Sequence, residues 1–387
     1  MLTHAYLPSN FMLSFIVPLI KDKKGDVTSK DNYRPIALTS IISKVFEIVI
    51  LNIYSEFLKT APNQFGYKFG LSTEVAIFSF KEIVNYYRSL SSNVYICLLD
   101  ASKAFDRINH FHLFHKLLER NLPKIIVRIL FIWYQTQCFA IKWQSRVSAY
   151  FNVSNGVRQG SILSPWLFNV FIDDLSINLN NSGIGCCMNN ISFNHIQYAD
   201  DTILLAPSPT GLQKLLNICE KFANCNDMLY NSKKTCCMGI GVKATKRIPD
   251  IFLYGQKLLW KENNCYLGVN INGNFNDDMD IKRQRKAIYS KGNSIIRKFK
   301  QCSENVKDRL FQAFCSNFYS CSLWSSFSMS TINSLKLHII MFIDIYIMLN
   351  PQVLLATLYP KILILLKLFC VKQAIVFLIA VLILIIF

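Results

Sequence analysis

The chain has 387 residues, 52% of them hydrophobic, which is enough for a catalytic domain and a smaller accessory one and too apolar for a disordered protein. Lys and Arg number 42 against 24 Asp and Glu, a net charge of +18 that suits a polyanionic partner through phosphate contacts; a basic surface kept for solubility is the other reading of charge alone. The 13 cysteines are odd in number, form no CxxC pair and include the neighbours Cys186-Cys187 and Cys236-Cys237, which argues against an ordinary structural zinc site and a secreted disulfide framework and for reduced thiols inside a cell.

The N-terminus, Met1-Leu2-Thr3-His4, lacks the basic region and apolar run of a secretory signal. Phe11 to Ile20 reads as an apolar strand, Lys21 to Asp26 as a charged turn, and Ile41 to Leu58 carries helical periodicity. From 94 to about 240 short β-rich runs (Val94 to Leu99, Ile196 to Tyr198, Thr202 to Ala206) alternate with helix-like segments, the pattern of a mixed domain. Ser164 before Pro165 reads as a helix cap, followed by Leu167, Phe168, Phe171, Ile172 and Leu175 at helical spacing. Ser208 or Thr210 opens a second stripe of Leu212, Leu215, Leu216, Cys219, Phe222 and Ala223, and both stripes read as core. Residues 241–336 are mixed and basic, notably Lys282-Arg283-Gln284-Arg285-Lys286, and composition changes abruptly beyond 337.

Three segments carry chemistry. The apolar run Val94 to Leu99 ends in Asp100, and a strand end holds a carboxylate with little positional freedom, as a metal ligand requires; a cap on the following turn is the alternative. Tyr198-Ala199-Asp200-Asp201 sits between two β-rich runs, where adjacent carboxylates repel unless a cation neutralises them, although Asp-Asp also suits a plain turn. With Asp100 opposite, the pair has the donor set to bridge two Mg²⁺ about 4 Å apart, as two-metal phosphoryl transfer uses. In Asn155-Gly156-Val157-Arg158-Gln159-Gly160-Ser161 the glycines allow a backbone to approach a ligand closely, and the helix that follows offers free amides; an ordinary turn and cap is the other reading.

Asn32-Tyr33-Arg34-Pro35-Ile36, Asp100-Ala101-Ser102-Lys103-Ala104-Phe105-Asp106, Arg158-Gln159-Gly160-Ser161, Tyr198-Ala199-Asp200-Asp201 and Tyr266-Leu267-Gly268, in that order, resemble the reverse transcriptase of LINE-type non-LTR retrotransposons over residues 8–336. The resemblance implies an α+β right-hand polymerase: fingers in 1–90, a palm of antiparallel sheet packed on helices in 91–240, and the palm end, primer-grip turn and partial thumb in 241–336. It implies RNA-directed DNA polymerase activity with two Mg²⁺ held by Asp100, Asp200 and Asp201. It also implies that Ala101 lends a carbonyl to the nucleotide-bound metal and that Phe105 rejects a ribose 2′-OH. Lys21 and Arg34 would neutralise the triphosphate, Gln159 and Gly160 position template and nucleotide, and Lys234 protonate the leaving group. Tyr266, Leu267 and Gly268 would hold the primer end. The partners implied are an RNA template, a DNA primer and dNTPs, in cytoplasm and nucleus, with endonuclease activity supplied from elsewhere.

A decayed inactive copy and an intron-maturase-like polymerase are the alternatives within this reading, and a membrane-anchored protein of unrelated activity is the alternative outside it. Residues 337–387 depart from the family. Ala374 to Phe387 is an unbroken apolar run of 14 residues, short of the roughly 20 a membrane span needs, with Lys361, Lys367 and Lys372 upstream. A shifted reading frame in an AT-rich gene is preferred to an anchor, and membrane contact is expected only through 353–387.

Overall fold

The structure, a computed structural model, describes residues 6–242, 247–315 and 318–347. The apolar run at 374–387, and with it the choice between anchor and shifted frame, lies outside the described residues. Two compact units interleave along the sequence, one drawn from Met1–Ser72, Ile96–Cys237 and Ile248–Leu259, the other from Thr73–Tyr95, Met238–Arg247 and Trp260–Phe387.

In the first unit the apolar run starting at Phe11 becomes a strand only at Leu13–Ile20, because Ser9–Met12 closes one helical turn and the Phe11 carbonyl accepts from the Trp133 indole. This strand pairs antiparallel with Tyr33–Leu38, setting Leu19 opposite Arg34 across the charged turn, and parallel with Cys138–Trp143. Ser40 caps the helix Ile41–Tyr54 by accepting the Ser43 amide, and a 3-10 turn, Ser55–Leu58, completes the predicted helical stretch.

The helix Ile41–Tyr54 turns its charge inward. Glu47 is buried while Ile41 and Ile42 are 80% and 68% exposed. Glu47 accepts from Arg158, from the Ser161 hydroxyl and from the Ile162 amide, so the buried carboxylate has a partner on each oxygen.

A second sheet carries Cys236–Ile240, Val94–Leu99, Asp201–Ala206 and His195–Tyr198 in that order. Val94–Leu99 is almost entirely buried, which is why it reads as a continuous apolar run and not as an alternation. The helix Pro209–Cys225 packs on Asp201–Ala206 and on the helix Ser164–Asn181, and the two predicted stripes form the interior, at roughly 1.5–3 kcal/mol for each large apolar side chain. Ser208 caps the later helix, accepting the Gly211 amide, and Thr210 lies inside its first turn. Ser164 is not a cap: Leu163 takes that place, and the Ser164 hydroxyl faces the Tyr134 hydroxyl at 3.5 Å.

The second unit contains the helix Thr73–Ser89, the hairpin Asn263–Tyr266 with Val269–Asn272, and the helices Asp278–Lys298, Glu304–Phe314 and Met329–Ile347. Ile281, Ile288 and Ile295 recur every seven residues and meet Phe311, Trp324, Ile332, Leu335 and Ile339 in one core. The composition change at 337 therefore falls inside a helix that packs through Ile339. Lys81 is buried with Asp277 at 2.5 Å and also donates to the Leu323 carbonyl, while Asp277 takes the Ser325 and Ser326 amides. No helix among the described residues is long and apolar enough to cross a membrane, and each of the twelve described cysteines is a free thiol.

Candidate functional site

Asp100 stands directly after the strand Val94–Leu99. Its carbonyl accepts the Asn231 amide at 2.8 Å and its amide donates to Thr235 Oγ1 at 3.2 Å, so the backbone is fixed on both sides while the side chain stays 41% exposed. Ala101 forms an antiparallel bridge with Tyr230. The bridge is closed by the flanking pairs, Ser102 amide to Leu229 carbonyl and Asn231 amide to Asp100 carbonyl. That pattern turns the Ala101 carbonyl away from Tyr230.

Asp201 pairs with Tyr198, which leaves Ala199 and Asp200 as a two-residue hairpin turn. Ala199 holds φ at +56°, a conformation side chains other than Gly seldom adopt. Gln64 grips this residue, accepting its amide at 3.0 Å and donating to its carbonyl at 3.2 Å. Gly66 passes so close that a Cβ there would sit 2.4 Å from the Ala199 nitrogen.

The three predicted carboxylates are brought together. Loss of water raises the Asp200 pKa; its own backbone amide and Arg34 oppose the shift, and the Asp100 charge adds to it. Asp201 is pushed up to about 6, first by loss of water and then by the charges of Asp200 and Asp100. Lys234 Nζ stands 4.0 Å from Asp100 Oδ2 and is 70% exposed, a weak counter-charge for three acids. Hard oxygen donors that repel one another and have only Arg34 and an exposed Lys234 as counter-charge fit a divalent cation. Among the described residues no three His, Cys, Asp or Glu side chains stand at the spacing of a finished metal centre.

Around the acids, the Phe105 ring stacks on Phe168 at 4.6 Å and 8°. Gln159 donates to Asp106 at 3.2 Å, and its carbonyl accepts the Ala37 amide at 2.7 Å. A cavity of about 210 Å³ beside it is lined by Pro35, Ala37, Asp106, Gln137 and Gly156 among others. Lys21 is exposed at the end of its strand and donates to the Asp31 carbonyl at 2.9 Å, whereas Arg34 is near enough to Asp200 to oppose its pKa shift.

The glycines of the 155–161 segment allow close approach within the chain, while residues 155–159 also line the cavity beside Gln159. A Cβ on Gly156 would meet Asp106 Cα at 2.8 Å, and one on Gly160 would meet the Ala37 carbonyl at 2.9 Å, so both serve close approach within the chain. Arg158 is buried against Glu47 and the Trp133 ring, and the Ile162 amide before the helix is already taken by Glu47.

Tyr266, Leu267 and Gly268 belong to the second unit, where Tyr266 pairs with Val269 and leaves Leu267 and Gly268 as the turn, at φ +44° and +80°. The Tyr319 hydroxyl donates to the Leu267 carbonyl at 2.9 Å.

Gln64, Gly66 and Glu47 escape a reading of sequence pattern. Gln64 and Gly66 lie in an irregular segment with no periodicity, and Gln64 meets a partner 135 residues away. The glycine in Asn63-Gln64-Phe65-Gly66-Tyr67 is the one local signal of a close approach.

A family described as reverse transcriptase (RNA-dependent DNA polymerase) matches residues 20–271, a span that includes all of the predicted site residues. The chain is 28% identical over 222 residues to the retrovirus-related Pol polyprotein from the type-2 retrotransposable element R2DM of Drosophila melanogaster, covering 56% of this chain and 20% of that one. It is 25% identical over 299 residues to the RNA-directed DNA polymerase from mobile element jockey of the same species, covering 74% of this chain and 32% of that one. The chain thus spans between a fifth and a third of these curated relatives. A solved structure of telomerase from Candida tropicalis with a fragment of telomeric RNA aligns at 13% identity and a TM-score of 0.49, covering 88% of this chain and 59% of that one.

Proposed function

Because the chain belongs to the reverse transcriptase (RNA-dependent DNA polymerase) family, we propose that it is the polymerase portion of a non-LTR retrotransposon protein, adding dNTPs to a primer 3′-OH on an RNA template. The observation that carries the reading is the meeting of three carboxylates on adjoining strand ends: burial raises Asp200 and Asp201, the Asp100 charge adds to both shifts, and the Asp200 charge adds to that of Asp201.

The family uses divalent metal ions, and here Asp100, Asp200 and Asp201 would hold two Mg²⁺, with the Ala101 carbonyl a further oxygen donor. The chemistry such ions would supply is activation of the primer hydroxyl and stabilisation of charge on the α-phosphate and the leaving pyrophosphate. The protein's own groups do the rest. Arg34, near enough to Asp200 to act on its charge, neutralises triphosphate oxygens, and Lys21, near enough to Asp106 to act on its charge, extends the basic lining. Lys234 next to Asp100 supplies a proton to the departing pyrophosphate. Phe105, held flat on Phe168, fills the space a ribose 2′-OH would need. Gln159 is tied to Asp106 and to the Ala37 amide, which supports a fixed position from which it would orient nucleotide and template. Base pairing reads the template, so phosphate contacts from a chain of +18 suffice for the protein's part.

The test is primer extension by the full chain on an RNA template with Mg²⁺, repeated with a chelator. Extension that depends on dNTPs and stops on chelation is expected. A folded chain that binds primer-template and extends nothing, or extends equally under chelation, overturns the reading.

A further inference from the structure

We propose that Gln64 is a positioning residue: it fixes the Ala199-Asp200 turn and so sets where the two hairpin carboxylates stand relative to Asp100. The inference rests on the polymerase reading above, and it names a residue that touches neither metal nor substrate.

Gln64 is 1% exposed. Its Oε1 accepts the Ala199 amide at 3.0 Å and the Gly66 amide at 2.8 Å, and its Nε2 donates to the Ala199 carbonyl at 3.2 Å. One side chain therefore takes both backbone groups of the residue that lies between Tyr198 and Asp200. That residue is the strained one, an alanine at φ +56°. Without an outside grip the turn has no reason to hold this conformation, because neither Ala199 nor Asp200 is a glycine.

The grip is itself mounted firmly. The Phe65 amide donates to the Gln197 carbonyl and the Gln197 amide to the Asn63 carbonyl, both at 2.8 Å, so residues 63–65 run as a short parallel edge beside the strand His195–Tyr198. Asn63 donates to the His195 carbonyl at 3.1 Å, and buried Asn169 on the helix Ser164–Asn181 donates to the Gly66 carbonyl at 2.8 Å. The missing Cβ of Gly66 is what lets this segment reach the turn.

The chemistry selects an uncharged amide. Glutamate at 64 accepts but does not donate while ionised, and adds negative charge beside three acids; methionine has the length and neither group. A polar side chain that served packing alone would tolerate methionine at the turn as well as any other buried site.

The full chain is compared with Gln64→Met, Gln64→Glu and Gly66→Ala, and with Leu216→Ala as a core variant that loses stability elsewhere. Two quantities are read. Without metal or nucleic acid, hydrogen exchange of the peptide spanning 198–201 should speed by about tenfold or more in Gln64→Met, the loss expected when buried partners are left unmet, while exchange at 203–205 keeps its rate. In primer extension, the Mg²⁺ concentration for half activity should rise severalfold and kcat fall by about tenfold, with KM for dNTP held within about twofold. Gly66→Ala should do the same by pushing on the Ala199 nitrogen, and Gln64→Glu serves if Gln64→Met does not fold.

Wild-type exchange and wild-type Mg²⁺ dependence in the Gln64 and Gly66 variants overturn the proposal, and so does an equal shift of both in Leu216→Ala. If the wild-type chain extends no primer, the polymerase reading fails on its own, and the exchange experiment still decides whether Gln64 holds the turn.

Discussion

Two hairpins of this chain begin alike and are held differently. Tyr198-Ala199-Asp200-Asp201 and Tyr266-Leu267-Gly268-Val269 are both two-residue turns opened by a tyrosine, each with a non-glycine residue at positive φ, +56° at Ala199 and +44° at Leu267. In the second turn the next position is Gly268 at φ +80°, so the backbone accepts the shape at little cost and one hydrogen bond from the exposed Tyr319 suffices. In the first turn the next position is Asp200. A turn that has to present a carboxylate has no glycine to give, and its shape is held instead by a buried amide and a neighbouring glycine that lets the backbone come close. The strain is kept beside the carboxylates proposed to hold the metal and is supported from 135 residues away.

The largest expected effect breaks the first turn's chemistry without touching its shape. Asp200→Asn should cut nucleotide addition by about a thousandfold or more, as loss of a group stabilising transition-state charge does. The metal-free thermal midpoint should stay level or rise, because the variant removes one of three mutually repelling acids. A variant with near-normal extension, or one that unfolds below the wild type, would show that Asp200 serves the fold and not the reaction.

The same contrast explains what was legible in the sequence. Asp100 and the Asp200-Asp201 pair stand at the ends of apolar runs short enough to be strands, and their clustering follows from those runs pairing in one sheet. Tyr266-Leu267-Gly268 is reached through the family resemblance, and its glycine suits the turn that the structure shows. Gln64 is not, since a glutamine in an irregular segment looks the same whether it faces water or a strained backbone. Glu47 fails for a different reason: helical periodicity reveals the helix Ile41–Tyr54 but not which side faces in, and here the aliphatic residues Ile41 and Ile42 stay outside while the carboxylate goes inside to meet Arg158. The loop at 155–161 is legible only in part, because two glycines announce a close approach without saying whether the partner is a ligand or the chain itself.

A smaller effect sharpens the comparison from the other side. Gly268→Ala should cost about 1–2 kcal/mol, the penalty of the left-handed region for an L side chain, since its new Cβ would meet the edge of the partly exposed Tyr319 ring at 3.0 Å and a small shift of that ring relieves the contact. Measured by chemical unfolding, a loss far above this would mean that the second turn, like the first, is pinned by its surroundings.

The smallest effect is a slope with pH, present for one turn and absent for the other. Asp201 has its pKa raised to about 6 in the folded chain, against a value near 4 when unfolded. Between those pH values the folded state keeps a proton that the unfolded state has released, so stability falls as pH rises from about 4 to about 6 and is level above that. Asp200 is displaced in the same direction and adds to the slope. The turn at Leu267-Gly268 has no carboxylate and contributes nothing. In chelator, the thermal midpoint of the wild type minus that of Asp201→Asn should therefore grow more favourable to the wild type as pH drops below about 6, and stay constant above 7. A difference independent of pH would mean that Asp201 is as well solvated as an ordinary surface acid. Divalent ions act against the same proton, because only the charged carboxylates bind them, so the Mg²⁺ concentration needed for half activity should climb as pH is lowered through 6.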